Sequence, residues 1–208
     1  MNGTAHAAIG AATGFVVANN MDVSSSVTFL FVGLGTISGL MPDLDIDGKL
    51  SSRITFSHKV IQSVAQLIGL LMIIYSFYEG TATERYFGAG VGLAMMIISS
   101  FIKQRHMLMI TGIGVIAAGV FLQEMWLLLL GIYILIASYV SHRSYTHSII
   151  GVIFFGIIAS KLELSLGIDG VFYTCLAGYL SHLVADSKLL PINKRGIKLF
   201  LPFSAKEM

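Results

Sequence analysis

One cysteine, Cys175, is the whole thiol complement, so neither a disulfide framework nor a cysteine zinc site is available, and buried packing is its expected role. Charge is scarce as well. Thirteen Lys and Arg and eleven Asp and Glu make up 12% of the 208 residues, about half the usual 25% of a soluble domain. A soluble globular fold is thereby excluded. Prolines number three, and no Pro-, Gly- or Ser-rich stretch is long enough to separate domains, so a single membrane-embedded domain over 1–208 is expected. No nucleic-acid-reading module is present, and attraction of the basic loops to anionic lipid explains the net charge of +2.

What is abundant is apolar sequence, 55% of the chain, with a mean hydropathy of +0.82. Uncharged runs at 87–102, 107–122, 125–140 and 148–160 approach the ~20 residues that cross hydrocarbon. The start, MNGTAHAAIG, has no basic region before its apolar stretch and reads as a first membrane helix, not a cleaved signal. Candidate spans fall near 5–20, 26–41, 60–78, 87–102, 107–122, 125–141, 148–160 and 170–187. The expected fold is all-α, a polytopic transmembrane helical bundle of about eight spans. Six or seven with a re-entrant segment is the alternative, since the first and seventh are short.

Orientation follows from alternate loops of opposite charge. Lys49, Arg53, Lys59, Lys103, Arg105, Arg143, Lys188, Lys194, Arg195, Lys198 and Lys206 lie on one side, which the excess of bases marks as cytoplasmic. Asp22, Glu79, Glu84, Glu124, Glu163 and Asp169 lie opposite with only Arg85 and Lys161, so both termini are expected inside. Gly10 and Gly14, Gly35 and Gly39, and Gly88 and Gly92 are spaced by four, which predicts close helix packing within one bundle. The tail 191–208 mixes bases with Ile197, Leu199, Phe200, Leu201 and Phe203 and suits the lipid interface, although its two prolines argue against one long amphipathic helix.

All six histidines then fall on or near the cytoplasmic side, together with Asp43, Asp45 and Asp47, although orientation was read only from Lys, Arg, Asp and Glu. Four segments contribute: His6 opening span one, Pro42 to Asp45 closing span two, the stretch SHRSYTHS at 141–148, and His182 with Asp186 ending span eight. His182 and Asp186 are four apart and share a helix face. His142 and His147, five apart, need a tight turn to aim together, and Thr146 or Ser144 is expected to cap span seven. Asp43 and Asp45 project to one side if the chain is extended after Pro42.

Imidazoles and carboxylates from several helix ends are what a divalent metal requires, zinc first, manganese or iron otherwise. Such a metal activates water and polarises a phosphoryl or carbonyl oxygen, and the planar fork of Arg143 suits a phosphate. A lone His or Asp at a membrane helix end is usually only interfacial, and His58 and His106 are assigned to that class. Asp43, Asp45, Asp47 and Gly48 also match the start of a calcium loop, but its twelfth position, where a bidentate Glu belongs, is Ile54.

The motifs LMPDLD at 40–45, SHRSYTHS at 141–148 and GYLSHLVADSKLLP at 178–191, in that order after His6, resemble the YdjM family. These are bacterial inner-membrane proteins described as metal-dependent hydrolases, some linked to the LexA damage regulon. The resemblance covers the first fifty residues, 140–151 and 178–203, and implies roles for His6, Asp43, Asp45, His142, Arg143, Thr146, His147, His182 and Asp186. Relatives often place His after the second Asp, where this chain has Ile46, and Gly where it has Ser144.

The expected function is therefore a metal-dependent membrane hydrolase acting on an ester or phosphoester of a lipid or lipid-linked substrate at the cytoplasmic face. The ligand pool is His6, Asp43, Asp45, His142, His147, His182 and Asp186, with Arg143 and Thr146 in catalytic roles. An ion or metal transporter is the first rival; transport sites sit near the bilayer midplane, whereas the middles of these spans carry no Asp, Glu, Lys or Arg. A noncatalytic scaffold or regulator with a structural metal is the second.

Overall fold

A computed structural model describes residues 3–44, 57–140, 143–188 and 196–208. Among them are eight α-helices and two single 3-10 turns. The helices are α1 (Gly3–Asn20), α2 (Ser25–Ser38), α3 (His58–Glu79), α4 (Ala82–Ser100), α5 (Gln104–Phe121), α6 (Met125–Ala137), α7 (Ile149–Leu166) and α8 (Val171–Asp186). The turns are Met41–Leu44, after α2, and Tyr145–His147, before α7. The all-helical expectation holds. In hydrocarbon every backbone N–H and C=O must be paired within its own segment, and an uncharged run meets that demand as helix. Three helices, α3, α5 and α7, are long and apolar enough to cross a membrane, and α2 and α6 are shorter apolar helices.

The chain forms two compact units, Met1–Ser51 with Leu108–Met208, and Ser52–Met107. The smaller is a hairpin of α3 and α4. Its turn is fixed by a capping box in which the Thr81 N–H and hydroxyl both donate to Glu84 Oε2, at 3.1 and 2.7 Å. Gly92 lies against the Gly69 carbonyl, so a Cβ at either glycine would strike the facing helix. At the other end the Gln62 amide donates to the Ile102 carbonyl at 2.7 Å, and His58 Nδ1 pairs with Gln104 Oε1 at 2.9 Å.

In the larger unit α1, α2 and α8 meet along a glycine seam. Gly10 and Gly14 of α1 face Gly35 and Phe31 of α2 so closely that a Cβ at Gly10 would collide with the Gly35 carbonyl, and Gly178 of α8 packs on the same carbonyl. Lipid tails are as apolar as leucine, so such helices are held by close contact and not by hydrophobic exclusion, and only glycine permits this approach. The four-residue spacing is thus used inside one bundle. Around the seam lie Phe31, Leu44, Tyr133, Phe155, Val171 and Tyr179, all buried.

Helix α7 runs to Leu166, past the expected limit near 160, because its late polar residues have work at the helix ends. Glu163 Oε2 accepts from the Gly170 and Phe172 N–H groups, at 3.0 and 2.8 Å, satisfying first-turn donors of α8. Gly167 (φ 63°) ends α7 in the left-handed conformation that glycine adopts without strain. At the C-terminus the Met208 carbonyl accepts from the Lys188 and Ile197 N–H groups, each at 3.0 Å, and Leu199 accepts from Ile149 N–H at 2.9 Å. The tail from 196 onward is therefore folded back on the start of α7.

Candidate metal centre

Four chain segments deliver the site. His6 comes from the first turns of α1, Asp43 from the 3-10 turn after α2, His147 from the 3-10 turn before α7, and His182 and Asp186 from successive turns on one face of α8. The seam brings three of these together. Gly39, which leaves no room for a side chain against the His6 carbonyl, offers its own carbonyl to His182 Nδ1 at 2.7 Å.

A carbonyl can only accept, so His182 carries its proton on Nδ1 and presents a bare Nε2 to the site. His147 Nδ1 lies 3.1 Å from Thr146 Oγ1, which fixes the ring with its Nε2 inward. The two Nε2 atoms face each other at 3.2 Å. Asp43 Oδ1 is 3.5 Å from His182 Nε2 and 3.7 Å from His147 Nε2. Asp186 Oδ2 is 3.9 and 4.0 Å from the same two nitrogens. One ligand atom from each of Asp43, His147, His182 and Asp186 thus lies within 4.8 Å of the others.

That spacing tests the fit of a metal. Ligand bonds of about 2.0–2.2 Å place tetrahedral donors roughly 3.3–3.6 Å apart, and wider in less regular shells. The four atoms stand near those separations, at 3.2 to 4.0 Å for the pairs given above and all within 4.8 Å. Buried lone pairs and carboxylate oxygens converging in this way repel unless a cation or protons lie between them, and two imidazoles with two carboxylates suit a divalent ion. The chain therefore contains a cluster of Asp and His side chains able to hold a metal ion.

His6 stands beside this set, not in it. Its ring stacks on His182 with centroids 3.8 Å apart, and its Nε2 is 3.2 Å from Asp186 Oδ1. The residue is wholly buried, and among the described residues neither ring nitrogen makes a hydrogen bond of regular geometry despite that short contact. Arg143 donates from a guanidinium nitrogen to Asp186 Oδ2 at 3.1 Å. At 23% exposure it is the outermost of these side chains, and its backbone is left-handed, φ 59°, unusual outside glycine.

Beneath the ligands two buried tyrosines tie the two 3-10 turns together. The Tyr179 hydroxyl donates to the Thr146 carbonyl, while the Tyr133 hydroxyl lies 3.3 Å from the Met41 carbonyl and 3.1 Å from Tyr179 Oη. One bridge thus joins the turn carrying Asp43 to the turn carrying His147. Gly151 completes the support, because a Cβ there would meet the Tyr145 and Thr146 carbonyls and the Tyr179 hydroxyl.

Of the residues expected at the site, Asp43, His147, His182 and Asp186 converge, and His6, Arg143 and Thr146 touch them. Asp45, His142 and the calcium-loop residues Asp47 and Gly48 lie outside the described residues. Two local expectations are corrected. Met41–Leu44 is a 3-10 turn and not extended, because the Asp43 N–H bonds back to the Leu40 carbonyl at 3.1 Å. The cap of α7 is Ser148, whose hydroxyl accepts from Gly151 N–H, which leaves Thr146 to hold His147. His58 and His106 are engaged locally in the smaller unit, with Gln104 and with the Lys103 N–H. Tyr133 and Tyr179 escaped the sequence reading. Tyr179 had a signal, three residues before His182 on the same helix face. Tyr133 had only the rule that a buried tyrosine hydroxyl needs a partner.

A family model described as YdjM inner membrane protein matches residues 1–208, the whole chain. No curated protein and no solved structure matches.

Proposed function

Since the chain belongs to the YdjM inner membrane protein family, we propose that it is a metal-dependent hydrolase. Its substrate would be an ester or phosphoester of a lipid or lipid-linked molecule, at the cytoplasmic face of the bacterial inner membrane. One observation carries this reading: four ligand atoms from three separate parts of the sequence lie within 4.8 Å of one another. Zinc suits the two imidazoles and two carboxylates best, with manganese or iron next.

A bound divalent ion supplies Lewis acidity and lowers the pKa of water. The side chains supply the rest. Asp43, His147, His182 and Asp186 hold the ion, with Thr146 and the Gly39 carbonyl fixing the two rings as outer partners commonly do. His6, beside Asp186 Oδ1, is the group placed to hold a proton during turnover. Arg143, anchored on Asp186 and part-exposed, is placed to orient a phosphoryl oxygen.

The location supports a membrane-held substrate. The site is built at the helix ends opposite the α1–α2 and α7–α8 turns, where Asp22 and Asp169 lie, and the excess of bases in the site-bearing loops supports a cytoplasmic position. The same location argues against transport, which uses ligands near the midplane.

The second reading is a structural metal in a noncatalytic scaffold, favoured by the four-donor set, which can close a tetrahedral shell by itself. The experiment is hydrolysis of phosphatidic acid and lipid-linked pyrophosphate vesicles by purified protein loaded with zinc, manganese or iron. Metal-dependent release of phosphate that disappears in His182→Ala supports the hydrolase. A tightly held metal with no turnover on any ester or phosphoester supports the scaffold instead.

A further inference from the structure

Two residues past Asp186 the chain reaches Lys188, and two residues past His147 it reaches Ile149, the first residue of α7. Both positions are held by one segment. The Lys188 N–H donates to the Met208 carbonyl at 3.0 Å, and Lys188 Nζ pairs with Glu207 Oε2 at 3.2 Å. The Ile149 N–H donates to the Leu199 carbonyl at 2.9 Å. Segment 196–208 thus reaches from the end of the helix that carries Asp186 to the start of the helix that follows His147.

The segment is closed on itself and seated in the core. Ile197 and Met208 donate to each other's carbonyls, at 3.0 and 2.9 Å, which makes a loop of the chain between them. Gly196 lies so close to the Met208 carbonyl that a Cβ there would collide with it. Ile197 is 3% exposed and belongs to the same buried cluster as Tyr133 and Tyr179, the pair that joins the two ligand turns. Lys188 and Glu207, at 44% and 41% exposure, form a pair that salt can reach.

We propose that segment 196–208 is a clamp that positions the metal centre, holding the His147 turn and the Asp186 end of α8 at ligating distance, so that clamp closure and metal binding form one coupled equilibrium. The proposal rests on the metal reading of the cluster and adds the residues that preorganise it. Ligands drawn from the ends of separate helices keep their spacing only if those ends are themselves tied. The tyrosine bridge ties the two 3-10 turns, and the clamp ties α7 to α8 just past the ligands. By reciprocity, whatever factor the clamp adds to metal affinity, the metal adds to closure of the clamp.

The test uses the full chain in detergent, with and without zinc. Gly196→Ala puts a methyl group against the Met208 carbonyl. Ile149→Pro deletes the N–H that Leu199 accepts, at a first helical position preceded by an extended residue, Ser148 (φ −112°, ψ 169°), where proline is tolerated. Each should weaken zinc binding about three- to tenfold by dye competition. Glu207→Gln should weaken it about two- to fivefold at low salt and not at all in about 1 M salt. In wild type, zinc should slow hydrogen exchange at the Ile149, Ile197 and Met208 amides by the factor that Gly196→Ala loses in affinity. Gly92→Ala, which crowds the Gly69 carbonyl in the α3–α4 hairpin, is the stability control, expected to lower the melting temperature and leave zinc affinity unchanged. Wild-type affinity in both Gly196→Ala and Ile149→Pro, exchange indifferent to zinc, or an equal loss of affinity in Gly92→Ala would overturn the clamp and leave the metal centre standing. Wild-type protein that takes up no zinc would overturn the metal reading and the clamp with it.

Discussion

His147 and His182 point their Nε2 atoms at each other across 3.2 Å, with Asp43 Oδ1 within 3.7 Å of both. A cation seated among these groups would replace the proton that one imidazole otherwise gives the other, so metal binding and folding are linked. Chelation should lower the melting temperature, and metal added back should restore it. At about 100 times the dissociation constant the linkage is about 2.7 kcal/mol, roughly 5–10 °C for a chain of this size. Differential scanning fluorimetry with and without chelator reads the shift, and in His182→Ala it should vanish.

Removing the outer partners should weaken the site without deleting a ligand. Thr146→Val removes the hydroxyl that meets His147 Nδ1, and Tyr179→Phe deprives the buried Thr146 carbonyl of its donor. Each should lower metal affinity by about 10–100-fold, and Tyr179→Phe should also cost roughly 1–3 kcal/mol of stability. Competition with a chelating dye measures the first, and thermal unfolding of metal-free protein measures the second. Unchanged affinity in both variants would mean that the tyrosine bridge and the Thr146 contact are ornamental to the site.

The glycine seam predicts long-range sensitivity. Gly35→Ala and Gly10→Ala each place a Cβ against the facing helix backbone, which is not a flexible neighbour. Overpacking of this kind costs about 1–3 kcal/mol, and the shift of α1 against α2 should be felt at His6 and Gly39 as lost metal affinity. Gly114→Ala, where a Cβ meets nothing, is the matched control expected to leave both quantities unchanged.

Much of the site was legible in the sequence because chemistry-bearing residues are so rare in this chain that each one at a helix end is conspicuous. His182 and Asp186 could be paired from helical spacing alone. The eight helices were visible as uncharged runs, and the error at α7 came from taking Lys161 and Glu163 as loop residues when Glu163 caps the next helix. The 3-10 turn at Met41–Leu44 was hidden because Pro42 is equally compatible with an extended strand and a tight turn. Tyr133, within an otherwise featureless apolar run, could be assigned only once the turns it joins were in place.

Arg143 should separate binding of metal from use of substrate. Arg143→Lys keeps a positive charge near Asp186 but loses the planar fork, so metal content should stay within twofold while turnover of a phosphoester falls at least tenfold. Measured kcat and KM on phosphatidic acid, beside elemental analysis, distinguish this from collapse of the site. Loss of metal in Arg143→Lys would instead show that the guanidinium only neutralises Asp186.

Protons compete with the metal for the imidazoles. Because ligation requires each ring to present a bare nitrogen, the apparent affinity should fall by roughly tenfold or more between about pH 7.5 and pH 5.5, reversibly. Dye competition across that range is the check. A flat profile would point to carboxylates alone as ligands.

The most direct measurement is metal stoichiometry by elemental analysis of detergent-purified protein, comparing wild type, His147→Ala, His182→Ala and His58→Ala, with folding verified for each. One divalent ion per chain in wild type and His58→Ala, lost from both His147→Ala and His182→Ala, is the predicted result. Absence of bound metal after reconstitution at neutral pH, or its retention in the His147→Ala and His182→Ala variants, would contradict the account.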